Sequence, residues 1–171
     1  YEKEFDCWLP FVTAPALMDE FRATLADKSL DMEYNYSLDT KGRVALPAKF
    51  RSSLGREVVV TRGLDNCLFI YTKAEWKNLA EKLSSLPISQ ANTRAFSRLM
   101  LAGAMDVKID SQGRAMLPDY LRKYAGMKKK VVIAGLYNRL EMWDETKWNA
   151  YKSKTEKEGN AIAEQLGELG V

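Results

Sequence analysis

Polar and apolar positions alternate along "MEYNYSL" (residues 32–38), the period of two that a half-buried strand imposes. The alternation breaks at "DTKG", where Gly42 supplies the backbone freedom of a tight turn, and resumes in "RVAL" until Pro47. Pro47 suits the first turn of a short helix over 47–54, and Gly55 is its expected stop. "EVVVT" and "CLFIY" are β-branched and aromatic runs on either side of "RGLDN", a turn by composition. Thr72 and Glu75 have capping-box spacing and open a helix, "KAEWKNLAEKLSSL", that ends before Pro87.

The same order then repeats: "DVKI", "SQG", "RAML", a helix over 118–125, "KVVIAG", "LEMW" and a helix from about Glu145. Asp39, Gly42, Arg43, Leu46, Pro47, Arg51 and Gly55 recur 71 positions later as Asp110, Gly113, Arg114, Leu117, Pro118, Arg122 and Gly126. One inserted residue then shifts the offset to 72, so that Val59, Val60, Gly63, Leu64, Asn66, Leu68 and Trp76 recur as Val131, Val132, Gly135, Leu136, Asn138, Leu140 and Trp148. An ordered series of this length marks an internal duplication. The chain divides into an N-terminal extension (1–28), a first repeat (29–86), a linker (87–105), a second repeat (106–152) and a polar tail (153–171). The linker contains an amphipathic helix with Ala95, Phe96, Leu99 and Met100 on one side. The tail is Gly-interrupted and is expected to fray. Each repeat is too small to bury both faces of its strands, so the two halves are expected to share one barrel-like core. Trp76 and Trp148, at equivalent places on amphipathic helices, are expected to seal that core rather than to stack on bases, and Cys67 reads as a small buried hydrophobe.

Composition narrows the chemistry. The 171 residues are 46% hydrophobic and 29% charged, ordinary for a globular protein, and no apolar run approaches a membrane span. There is no histidine, which removes histidine acid–base catalysis and histidine metal sites. The two cysteines, Cys7 and Cys67, stand in no metal or redox spacing. "TRGLDN" and "AGLYNR" are single-glycine turns, not phosphate loops. No catalytic residue, metal site or cofactor is therefore expected. Residues 1–28 carry a net charge of −3 and the remainder +6, a basic balance that suits an anionic partner. Within the extension, acids precede the apolar "WLPFVTAPALM" and prolines interrupt it, unlike a signal peptide, while "PALMDEFRATLA" has helical amphipathicity. It reads either as a clamp or regulator, or as a loosely ordered or foreign segment.

The turns "LDTKGRVALPAKFR" and "IDSQGRAMLPDYLR", with "TRGLDNCLFIY", "RAFSRLMLAGA" and "NRLEMWD", resemble the MraZ family of bacterial transcriptional regulators over roughly residues 29–152. Residues 1–28 lack a counterpart in that pattern, and "SLDM" departs from its more apolar opening. The resemblance implies an α+β fold, mainly β: a duplicated, swapped-hairpin AbrB-like double-split β-barrel with peripheral helices. It also implies cyclic homo-oligomers (octamer or dodecamer), a cytoplasmic, nucleoid-associated location, and binding of double-stranded DNA at direct repeats in the protein's own promoter. Its role there would be mainly repression of the division and cell-wall gene cluster.

The repeated turns carry the chemistry that DNA requires. Gly42 and Gly113 allow close backbone approach, Arg43 and Arg114 can grip phosphate or a guanine edge with two hydrogen bonds, and Lys41 adds a point charge. Thr40, Ser111 and Gln112 supply neutral donors and acceptors, and Lys49 is a secondary phosphate contact. Asp39 and Asp110 are spaced to orient, or simply to pair with, Arg43 and Arg114. Lys41 against Gln112 makes the first copy the better electrostatic contact. Arg51 and Arg122 end short helices, where offsetting the helix dipole is a sufficient role. The rival from another class is a ring-forming structural or interaction module whose Asp–Arg pairs only close hairpins.

Overall fold

The structure, a computed structural model, describes residues 33–167. The expectations for residues 1–28 and for Cys7 lie outside the described residues. The strands are β1 (Glu33–Ser37), β2 (Arg43–Ala45), β3 (Glu57–Arg62), β4 (Leu68–Thr72), β5 (Met105–Lys108), β6 (Arg114–Met116), β7 (Lys130–Leu136) and β8 (Arg139–Asp144). The helices are α1 (Ala48–Leu54), α2 (Lys73–Ser84), α3 (Ala91–Leu101), α4 (Asp119–Ala125) and α5 (Glu145–Gly167).

Local chemistry accounts for most boundaries. Asp65 and Asn66 both take positive φ, 56° and 60°, the left-handed pair at the centre of a tight turn in the connection between β3 and β4, closed by the Cys67 amide on the Leu64 carbonyl at 3.2 Å. The Thr72 hydroxyl accepts the Glu75 amide at 3.1 Å and starts α2 where the capping spacing placed it. Pro47 and Pro118 precede α1 and α4, and Gly55 and Gly126, both at positive φ, end them.

The two copies are interleaved. The larger sheet is antiparallel with strand order β1-β7-β8-β4-β3-β5, and β2 pairs with β6 in a separate two-stranded ribbon. The first strand of each copy therefore pairs with the third strand of the other, while the second strands pair together, as do the fourth. A pseudo-twofold axis runs between Val44 and Ala115 in the ribbon, and between Phe69 and Glu141 in the sheet. This strand exchange is the swapped-hairpin arrangement. The ribbon and the sheet stay separate rather than closing into one continuous barrel.

The pairing also corrects the repeat alignment. Val58 stands opposite Thr72, and Val131 opposite Asp144, so Val59 and Val60 are equivalent to Val132 and Ile133. The second copy has two extra residues before its third strand and a shorter hairpin after it. A sequence comparison of valine-rich runs sees only the net shift of one.

The expected shared core is present. Val58, Val60, Leu68, Ile70, Val131, Ile133, Leu140 and Met142 point from the sheet to one side, where Val44, Leu46, Ala115 and Leu117 meet them from the ribbon and its exits. Leu54, Leu121 and Ala125 of the short helices close its flanks. Alternate residues Phe69, Tyr71 and Trp143 face the opposite side and form a second cluster with Cys67, Leu83 and Met100. Trp76 and Trp148 do pack in an apolar cluster, but it is this second one and not the shared core they were expected to seal, and Cys67 is buried and free of a disulfide.

The linker helix forms as expected, with Met100 buried on its apolar side and Ala95 and Phe96 exposed. One expectation is corrected. Residues 153–167 of the polar segment do not fray: α5 continues unbroken through Gly159 to Gly167. Its Lys, Glu, Gln, Ala and Leu are good helix formers, and a first turn anchored by Trp148 and Lys147 has already met the cost of nucleation. Among the described residues no helix is long and apolar enough to cross a membrane, and no group of three His, Cys, Asp or Glu side chains is placed to hold a metal.

Candidate nucleic-acid interface

Each turn is a closed hydrogen-bonded unit built around its aspartate. Asp39 Oδ1 accepts the amides of Lys41 and Arg43 at 2.8 and 2.9 Å, and its Oδ2 accepts Arg43 Nε at 2.6 Å. The backbone closes beneath it, with the Gly42 amide donated to the Asp39 carbonyl at 3.0 Å and the Asp39 amide to the Arg43 carbonyl at 2.9 Å. The second copy repeats every bond: Asp110 Oδ1 receives the Gln112 and Arg114 amides, both at 2.9 Å, and Oδ2 receives Arg114 Nε at 2.9 Å. Gly42 and Gly113 both sit at φ 75°, the left-handed region that favours glycine. The backbone amide of Arg43, and with it the neighbouring guanidinium, holds the Asp39 carboxyl down at about 2. Asp110 is lowered in the same way by the backbone amide and guanidinium of Arg114. Carboxylates depressed in the folded state stabilise the turns above the ordinary carboxylate range. That contribution fades only as pH falls from 3.8 towards about 2, so at neutral pH both aspartates are anions that aim their arginines.

Strand alternation then directs the arginines outward. Val44 and Ala115, at the centre of the ribbon, are fully buried, so Arg43, Ala45, Arg114 and Met116 project from the opposite face. Arg43 stands across from Met116 and Arg114 across from Ala45. The two arginines are thus diagonal neighbours, roughly 7–8 Å apart between backbones. Both line a shallow groove with Met105, Asp106, Lys108 and Met116. Asp106, at its rim, is paired with Lys73, which reduces its opposition to an anion.

The structure places Thr40, Lys41, Ser111 and Gln112 at the exposed turn tips, and Gly42 and Gly113 buried beneath them. Lys49 stands apart, half-buried in the first turn of α1. The copies differ in detail. Arg114 gives both Nε and a terminal nitrogen to Asp110, whereas Arg43 meets Asp39 through Nε. Among the described residues no side chain or carbonyl accepts a hydrogen bond from the terminal nitrogens of Arg43.

Sequence reasoning missed Met116, 57% exposed in the middle of this face; the alternation of "RAML" around a buried Ala115 was the available signal. Arg51 and Arg122 do stand in the last turns of their helices, where the dipole role placed them, but that role leaves out a second feature: both guanidinium groups reach the turn glycine of the other copy. A Cβ on Gly113 would overlap Arg51, and one on Gly42 would fall 2.8 Å from Arg122 Cζ.

Comparison with known proteins gives a consistent result. A family model described as "MraZ protein, putative antitoxin-like" matches twice, over residues 30–99 and 100–167. The chain is 48% identical over 139 residues to a Transcriptional regulator MraZ of Acetivibrio thermocellus, which covers 81% of this chain and 97% of that protein. The same name is carried by a Natranaerobius thermophilus relative, 48% identical, and a Clostridium acetobutylicum relative, 45% identical, each over the same shares.

Proposed function

We propose the function from a single premise: the chain belongs to the MraZ family. It is a transcriptional regulator and not an enzyme. In the finer reading it binds double-stranded DNA sequence-specifically through the outer face of the β2–β6 ribbon and its two turns. It acts in the cytoplasm, at the nucleoid, mainly as a repressor. Its sites are direct repeats in its own promoter, upstream of the division and cell-wall gene cluster.

The observation that carries this reading is the pair of outward arginines, each aimed by an aspartate, on a two-stranded ribbon. The major groove admits a two-stranded ribbon, and arginine matches the guanine O6/N7 edge with two hydrogen bonds. The diagonal spacing of the arginines is comparable to two base-pair steps of about 3.4 Å. Lys41 and Thr40 at one tip, and Ser111 and Gln112 at the other, flank the groove as phosphate and edge contacts, with Lys49 as a secondary one. The pseudo-twofold of the ribbon is broken by Lys41 against Gln112 and by Ala45 against Met116. One subunit therefore reads a short box with a direction, and subunits of a cyclic homo-oligomer read successive boxes in the same direction. Linked weak contacts gain effective concentration, which one subunit with so few charges requires.

The test is a gel shift of the full chain with a duplex from its own upstream region against a scrambled duplex, at two salt concentrations. The upstream duplex is expected to stay bound at the higher salt while the scrambled one is released, since each neutralised phosphate steepens the salt dependence by about 0.9 in logarithmic slope. Equal retention of both duplexes contradicts sequence-specific reading. Asp39→Asn supplies a sharper comparison in the same assay. It makes the protein more positive, so bulk attraction alone would strengthen binding. Loss of the aimed arginine is instead expected to weaken it by about threefold to tenfold.

A further inference from the structure

Each arginine turn is seated by the other copy of the repeat. The Gly42 carbonyl accepts the Leu117 amide at 3.0 Å, and the Arg122 guanidinium covers the Cβ side of the same glycine. Arg122 Nε also donates to the Leu117 carbonyl at 3.2 Å, so Leu117 and Arg122 form one receptacle for Gly42. The second turn shows the mirrored set. The Gly113 carbonyl accepts the Leu46 amide at 2.9 Å, Arg51 covers Gly113, and Arg51 Nε donates to the Leu46 carbonyl at 2.8 Å.

We propose that Arg122 is the positioning residue for Arg43, and Arg51 for Arg114, so that the short helix of each copy sets the DNA-contacting turn of the other. This deepens the DNA reading above and rests on it. A helix-end arginine that only offsets its dipole acts within its own copy. These two act across copies, because their hydrogen-bonded Nε and covered glycine belong to opposite sides of the ribbon junction. Gly42 immediately precedes Arg43, and Gly113 precedes Arg114, so any slip of the glycine swings the arginine that follows. The seat uses a planar fork that bonds a carbonyl through Nε while its central carbon lies against the glycine, and in Arg122 a terminal nitrogen also donates to Asp119 Oδ1 at 3.2 Å. Lysine keeps the charge but lacks that shape.

The test uses the full chain with Arg122→Lys and Arg51→Lys, which retain charge and spare the core. Hydrogen exchange without DNA is expected to quicken in residues 39–43 for Arg122→Lys and in residues 110–114 for Arg51→Lys. Gel shifts on the upstream duplex, at low salt where residual binding stays measurable, complete a double-mutant cycle. Arg122→Lys is expected to weaken binding roughly fivefold. That loss should vanish in the Arg43→Ala background and persist in the Arg114→Ala background, with Arg51→Lys giving the reverse. Quickened exchange in a variant's own copy, additive losses with the crossed partner, or full binding by both lysine variants would overturn the proposal. If the wild type fails to bind the duplex, the DNA reading falls and the exchange pattern alone decides the crossed seating.

Discussion

Arg43→Ala in the full chain is expected to weaken binding to its own upstream duplex by at least about a hundredfold, with little change in melting temperature. One bidentate arginine–guanine contact carries about 1–3 kcal/mol of discrimination. Subunits joined in one assembly each lose that contact at once, and the losses compound because binding at successive boxes is linked. Folding should barely register the change, since Arg43 is a partly exposed residue outside both apolar clusters. Arg114→Ala is expected to have the smaller effect. Arg114 already spends a terminal nitrogen on Asp110, and Gln112 beside it brings no charge. Gel shift or fluorescence anisotropy on the same duplex ranks the two. Equal losses would remove the division of labour between the copies. An Arg43→Ala protein that binds as tightly as wild type would remove the ribbon from the interface.

Ile70→Ala is expected to cost about 2–5 kcal/mol, the range for emptying a fully packed aliphatic site. Ile70 is completely buried in β4, opposite Val60 of its own copy and Leu140 of the other. Its cavity therefore opens in a core to which both copies contribute, and both should lose structure together. Urea unfolding at one fixed protein concentration, followed by tryptophan fluorescence and far-UV circular dichroism, should show a single transition at lower denaturant. Trp76 reports on the first copy and Trp143 and Trp148 on the second. Two separated transitions would mean that the copies fold independently, against the exchanged strand pairing.

The duplication, the turns and most elements were legible because their signals are local. Gly42 and Gly113, the caps at Thr72, Pro47 and Pro118, and the alternation of β1 each act over a few residues. The arginine turns were legible for the same reason, down to the aspartates that hold them. Partner choice was not. Alternation tells which face of β1 is buried, but it does not say that β1 lies against β7 rather than against β2. The crossed seats of Arg51 and Arg122 depend on that exchange, so helix-end position alone pointed to their own helices. The recurrence of arginine at both helix ends was the signal available. The continuation of α5 was hidden by Gly159 and a polar composition, although its exposed face has no need of apolar residues.

The most direct measurement is photo-crosslinking from the full chain to the upstream duplex, with a photoreactive amino acid substituted at Met116 or, as the comparison, at Leu166 on α5. Met116 is exposed on the ribbon, across from Arg43 and two residues along β6 from Arg114, and Leu166 is exposed near the end of the last helix. Crosslinks from position 116 and none from position 166 are expected. Crosslinks from 166 with none from 116 would contradict the ribbon as the surface that reads DNA.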